Sequence, residues 1–187
     1  MNGVTGIVLA GGQGRRMGTV DKGLQLLHGK PMVAHVLARL APQVSEVLIN
    51  ANQNLASYEA FGHRVVPDAI GGFAGPLAGL HAGLSAASHP FVLTAPCDSP
   101  FLPLDLHERL AKAIKENDLA VAKTGDQAHP VFVLVRTEVR KGLESFLSGG
   151  GRKIDAWYAS LKVIEVSFDD EADAFRNINT REELNSA

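Results

Sequence analysis

Along the first half of the chain, short apolar runs alternate with stretches whose apolar residues recur at helical spacing. Gly6–Ala10 is too apolar for a half-exposed strand and predicts a buried one. From Pro31 the apolar positions Met32, Val33, Val36, Leu37 and Leu40 fall on one helical face, with proline expected at the first helical position. Glu46–Asn50 predicts a second strand, Leu55–Phe61 a short helix and Arg64–Val66 a third strand. A helix from Pro76 to Ala87, a strand at Phe91–Ala95 and a helix near Leu104–Lys115 follow.

Strands apolar on both faces and alternating with helices predict a mostly parallel sheet covered on two sides, a Rossmann-like α/β three-layer sandwich. The second half is less regular. Leu119–Ala122, Val131–Val135 and Val163–Val166 read as strands, and Glu138–Leu147 and Lys153–Leu161 as helices. Between those helices, Gly149–Gly151 with Arg152 and Lys153 reads equally as an anion-binding flap or a flexible turn. Thr180 to Glu183 forms a capping box for a short terminal helix. No repeat, linker or low-complexity tract interrupts the 187 residues, so one domain over 1–187 is expected.

Composition narrows the classes. With 45% apolar and 20% charged residues the chain reads as globular. Its 18 basic against 20 acidic side chains argue against a nucleic-acid binder that relies on a global basic field. A single cysteine, Cys97, excludes an intrachain disulfide framework and a multi-cysteine zinc site. No apolar run has bilayer-crossing length and the start lacks a signal-peptide pattern, so a cytoplasmic protein without a membrane partner is expected.

The glycines are unevenly placed: eight of the 19 fall within the first 29 residues. The first strand runs into Gly11-Gly12-Gln13-Gly14-Arg15-Arg16-Met17-Gly18, with Asp21-Lys22 beyond. Consecutive glycines let backbone N–H groups converge on an anion, and Arg16 and Lys22 supply countercharge. The loop is neither a Walker A sequence nor a dinucleotide fingerprint, because Met17 stands where the third glycine belongs and the second strand ends in Asn50 instead of an acid. A phosphate-binding loop is the better reading than an incidental turn.

In an open parallel sheet, ligands gather at the carboxyl ends of strands. Asn50, Asp68 and Asp98 fall there, after the second, third and fourth strands. Asp98, between Pro96 and Pro100, is by position equally a turn former and a hard oxygen ligand for Mg²⁺. Asn50 and Asp68 are residue types common in loops. The seven histidines show no metal-ligand spacing, and Cys97 has no evident activating base.

Leu9-Ala10-Gly11-Gly12, Arg16-Met17-Gly18, Asp21-Lys22 and Gly29-Lys30-Pro31 together resemble the signature of nucleotidyltransferases related to sugar-phosphate pyrophosphorylases. Further matches are Asn50, Asp68, Gly75–Gly79, Pro96–Pro100, His129-Pro130 and Asn177-Ile178-Asn179-Thr180. With these the chain is similar to the molybdenum cofactor guanylyltransferases over nearly all of Gly6–Leu184, with Arg181 where that family commonly has proline. The resemblance implies GTP binding by Leu9, Ala10, Gly11, Gly12, Lys22, Asn50, Asp68 and Asp98, with Asp98 holding Mg²⁺. It places His129, Asn177 and Asn179 on the side of the incoming molybdopterin, although an Asx-type turn accounts equally for the asparagines.

The implied reaction transfers GMP from GTP to the phosphate of molybdenum-molybdopterin and releases pyrophosphate, with Arg16, Lys22 and Asp98 as the catalytic groups. A phosphate monoester is already anionic at neutral pH, so the lack of an evident general base fits. Related cytidylyltransferases typically carry Leu-Ala-Ala-Gly, and Gly11 is expected to leave room for a purine. The alternatives are cytidylyl transfer, transfer to a sugar phosphate, and a non-catalytic nucleotide sensor. Transient contacts with cofactor-donating and cofactor-accepting proteins are also expected.

Overall fold

A computed structural model describes residues 3–12, 21–71, 75–178 and 183. Its centre is a seven-stranded sheet in the order β5-β4-β1-β6-β8-β7-β9. The strands are β1 (Val4–Leu9), β4 (Glu46–Asn50), β5 (Arg64–Val66), β6 (Phe91–Pro96), β7 (Leu119–Thr124), β8 (Gln127–Arg136) and β9 (Val163–Ser167). β1 pairs in parallel with both β4 and β6, β4 with β5, and β7 with β9. β8 runs antiparallel to both its neighbours. The expected mostly parallel sheet is therefore observed.

The helices are α1 (Met32–Leu40), α2 (Leu55–Glu59), α3 (Pro76–Ala86), α4 (Leu106–Ile114), α5 (Arg140–Ser148) and α6 (Ile154–Tyr158). The pleat of β1 sorts its side chains by period two. Val4 and Val8 pack with Val36 and Leu40 of α1, Tyr58 of α2 and Leu110 of α4. Ile7 faces the other way, toward Leu80 and Leu84 of α3, Leu143 of α5 and Trp157 of α6. Helices thus cover both faces.

Two glycines of α3 allow it to approach the sheet closely. A Cβ on Gly83 of α3 would lie 1.7 Å from Ile7 Cδ1, and one on Gly79 would lie 2.3 Å from Asn50 Oδ1. The first brings α3 onto the sheet. The second seats the helix against the end of β4.

Several elements differ from the sequence expectation for local reasons. Pro31 lies one residue ahead of α1 and ends β3 (Lys30–Pro31), which pairs with β2 (Leu26–Leu27) across His28 and Gly29. Both turn residues have positive φ, 49° and 77°, the conformation a two-residue hairpin demands. β8 begins at Gln127, before the expected Val131, because Gly125 (φ 53°) and Asp126 close a tight β7–β8 hairpin. The register slips after Val121, and Pro130, which has no N–H for the ladder, falls in that irregularity. Thr94 Oγ1 donates to the Val131 carbonyl there at 2.8 Å.

α4 starts at Leu106, leaving Leu104 63% exposed. α6 stops at Tyr158, short of the expected Leu161, and Ser160 Oγ donates to the Trp157 carbonyl at 2.6 Å. The glycine run 149–151 closes α5: the N–H groups of Gly149, Gly150 and Gly151 donate to the carbonyls of Ser145, Leu147 and Phe146. Gly150 has φ 88°, so this segment caps the helix and makes the turn between α5 and α6. The proposed capping box at Thr180 lies outside the described residues, apart from Glu183. Among the described residues no helix is long and apolar enough to cross a membrane.

Candidate active site

The order β5-β4-β1-β6 makes the gap between β1 and β6 a topological switch point, since the chain leaves β1 toward β4 on one side and returns to β6 on the other. Gly11 and Gly12 leave β1 at that point, and Asp98 follows β6. Ala10 N–H donates to the Asn50 carbonyl at 2.8 Å, and Cys97 N–H donates to the Leu9 carbonyl at 3.1 Å. These bonds tie the ends of β1, β4 and β6 together.

On the β6 side, Lys22 Nζ lies 3.1 Å from Asp98 Oδ2. The two side chains are 21% and 13% exposed, so the pair borders solvent without being open to it. The turn that carries Asp98 is braced by the C-terminal segment. Ile178 N–H donates to the Asp98 carbonyl at 2.8 Å, and Ser99 Oγ donates to Asn177 Oδ1 at 2.5 Å. Ile178 is buried with Leu27 and Met32.

On the β4 side, Asn50 Nδ2 donates to Asp68 Oδ1 at 2.8 Å and to the Val66 carbonyl at 3.1 Å. Asn52 Nδ2 donates to Asp68 Oδ2 at 2.9 Å, while Asn52 Oδ1 accepts from Asp68 N–H at 2.9 Å. Two asparagines therefore hold both carboxylate oxygens of Asp68.

A Cβ on Gly11 would lie 2.8 Å from Asn52 Nδ2 and 2.9 Å from Asn50 Oδ1. The space on that side of Gly11 is filled by these carboxamides. This corrects the expectation that the missing side chain makes room directly for a purine. Gly12, in contrast, has open space where its side chain would be.

The structure thus brings Leu9, Ala10, Gly11, Gly12, Lys22, Asn50, Asp68 and Asp98 to one edge of the sheet. Arg16 and Asn179 lie outside the described residues. Asn177 is exposed, with its carbonyl oxygen on Ser99. His129 stacks on Phe175 at 4.5 Å between ring centroids, and its Nε2 is 2.7 Å from Thr124 Oγ1. Burial lowers its pKa.

Burial, with Asp98 and Asp21 close by, pushes the Cys97 thiol above its ordinary range, in line with an inert thiol. Asn52, Asn54 and Tyr58 lie outside the motifs that point to the site. The repeat Asn50-Ala51-Asn52-Gln53-Asn54 at the end of β4 was the available signal for two of them.

Among the described residues no cluster of three or more histidine, cysteine or acidic side chains is arranged to hold a metal. The Asp98 carboxylate at the switch point could hold a divalent cation of the kind bound through one or two carboxylates plus substrate phosphates.

Residues 6–163 match the MobA-like NTP transferase domain family. A molybdenum cofactor guanylyltransferase of Cupriavidus necator is 55% identical over 188 residues, covering 97% of this chain and 94% of that protein. That of Ralstonia nicotianae is 53% identical over 192 residues, again covering 97% and 94%. The crystal structure of molybdopterin-guanine dinucleotide biosynthesis protein A from Archaeoglobus fulgidus matches with a TM-score of 0.81 and 26% identity, over 97% of this chain and 95% of that one. With Gly11, Gly12 and the Lys22–Asp98 pair at the switch point and the Asp68 cluster farther along the same sheet edge, this chain belongs to the MobA-like NTP transferase family and is a nucleotidyltransferase.

Proposed function

We propose that the protein transfers GMP from GTP to the terminal phosphate of molybdenum-molybdopterin, working in the cytoplasm as a single domain. The observation that carries this reading is the Lys22–Asp98 pair at 3.1 Å at the strand ends that carry Gly11 and Gly12, in a chain whose guanylyltransferase relatives match it nearly end to end.

In the proposed reaction, an oxygen of the pterin phosphate attacks the α-phosphorus of GTP. The bond from that phosphorus to the bridging oxygen breaks, and pyrophosphate leaves with the electron pair. The attacking monoester is already anionic near neutral pH, its second pKa being about 6, so no strong base is needed. Catalysis is positioning and charge neutralisation. Mg²⁺ held on Asp98 would withdraw charge from the phosphate oxygens. Lys22 Nζ, 3.1 Å from that carboxylate, would meet the phosphates, and Arg16 and the N–H groups of Gly11 and Gly12 would complete the cradle.

Asn50 and Asp68, in the N-terminal half, would hold the nucleoside. His129, Asn177 and Asn179, in the C-terminal half, would flank the pterin, and proteins that deliver or accept the cofactor would dock transiently. The test is pyrophosphate release on mixing the protein with Mg²⁺, GTP and molybdopterin, with CTP as competitor. Release that needs both GTP and molybdopterin is expected. Preferential turnover of CTP, or no release with either nucleotide, overturns the reading.

A further inference from the structure

Asp21 is buried immediately before Lys22, and its carboxylate accepts from α2 and from the residue that precedes that helix. Tyr58 Oη donates to Oδ1 at 2.5 Å and Asn54 Nδ2 donates to Oδ2 at 3.0 Å. Asn54 and Tyr58 are four residues apart, one helical turn, so a single short segment grips both oxygens. Asn54 reaches this position from a left-handed backbone, φ 52° and ψ 34°.

The other side of Lys22 is fixed by the same hydroxyl. A Cβ on Gly23 would lie 2.5 Å from Tyr58 Oη and 3.2 Å from Cys97 Cβ. Tyr58 is fully buried, and burial, then the neighbouring Cys97 and Asp21, hold its hydroxyl protonated and therefore a donor. One phenol thus brackets Lys22, bonding to the residue before it and resting on the glycine after it.

We propose that Tyr58 and Asn54 are positioning residues for Lys22, acting through Asp21. They set the direction in which the ammonium group leaves the backbone, first toward Asp98 and then toward a phosphate. The inference rests on the phosphate role proposed above for Lys22.

A double-mutant cycle separates the two. Tyr58→Phe keeps the buried ring and removes only the hydroxyl. Asn54→Gly tolerates the left-handed backbone and removes the side chain with its carboxamide. Each is combined with Lys22→Ala, and GTP affinity by calorimetry and kcat/KM for pyrophosphate release are measured. Thermal unfolding of every variant confirms folding.

Tyr58→Phe is expected to lower kcat/KM about ten-fold, and Asn54→Gly somewhat less, since each loses one hydrogen bond to a charged group. In the Lys22→Ala background neither should lower it further. Equal losses in both backgrounds, or no loss from either variant with Lys22 present, overturn the positioning role while leaving Lys22 intact. An unaffected Lys22→Ala enzyme overturns the phosphate role itself, and the inference with it.

Discussion

β4 carries a polar cluster at each end, and the two clusters are built differently. At its start, Glu46 accepts from Thr5 Oγ1 at 2.6 Å, from Ser88 N–H at 3.0 Å and from Ser88 Oγ at 2.9 Å, with His89 Nδ1 3.6 Å away. At its end, Asn50 and Asn52 face Asp68, and across β1 the Lys22–Asp98 pair stands at the strand ends that carry Gly11 and Gly12. The first cluster joins β1, β4 and the segment before β6 through neutral donors from the chain itself. The second is where the proposed function seats the nucleotide and its metal. A serine, a histidine and a carboxylate together do not make a site when each is spent on its neighbours.

The largest test of this contrast is Lys22→Ala. Turnover should fall by about 100- to 1000-fold, the usual cost of a lost charge-stabilising donor, with the thermal midpoint nearly unchanged. A pyrophosphate assay alongside an unfolding scan checks both. Gly79→Ala should act on the nucleoside side: its new Cβ would meet Asn50 Oδ1 and Leu9 Cδ2, at 2.3 and 2.9 Å. Overpacking of that kind costs about 1–3 kcal/mol, and GTP affinity should drop with it, as calorimetry and denaturant unfolding would show.

Glu46→Gln probes the opposite edge. Stability should fall by about 1–2 kcal/mol, while kcat and KM stay at the native values. Burial pushes the Glu46 carboxyl up, but hydrogen bonds from Thr5 and Ser88 together bring it below its ordinary 4.5. The unfolded chain therefore binds this proton first as pH falls. Glu46 stabilises the fold above that value, and its contribution is lost as pH drops through the folded-state pKa. The wild-type acid-unfolding curve should be the steeper of the two near pH 4.5.

The smallest effect is expected away from both edges. His81 of α3 is buried with no hydrogen-bond partner on either ring nitrogen among the described residues. Burial lowers its pKa from 6.5, against Glu144, which raises it, and with Arg140, which lowers it further. Below pH 6.5 the unfolded chain gains a proton that the folded chain resists, so stability should decline gently there. His81→Leu should remove that decline and leave turnover unchanged, measured as the thermal midpoint between pH 7 and pH 5.5.

Much of the fold was legible because its signals are local. Apolar runs such as Ile7–Leu9 and Val92–Leu93 announce buried parallel strands, and the strand ends then place Asn50, Asp68 and Asp98 on one edge. The reversal of β8 was less visible, since its hairpin rests on the Gly125-Asp126 turn and not on hydrophobic period. Gly11 was read for a ligand, but its neighbours are Asn50 and Asn52, about forty residues along the chain.

The sequence by itself determined the order of elements, the layering and the position of the glycine loop, because periodicity and glycine spacing act within a few residues. Only the tertiary structure decided what each aspartate does. Asp21 and Asp98 both neighbour Lys22, one in sequence and one in space. Tyr58 and Asn54 take up the first, and the second is left beside the ammonium at the switch point. Hydrogen-bond saturation depends on which distant donors arrive, and the spacing of residues along the chain does not reveal that.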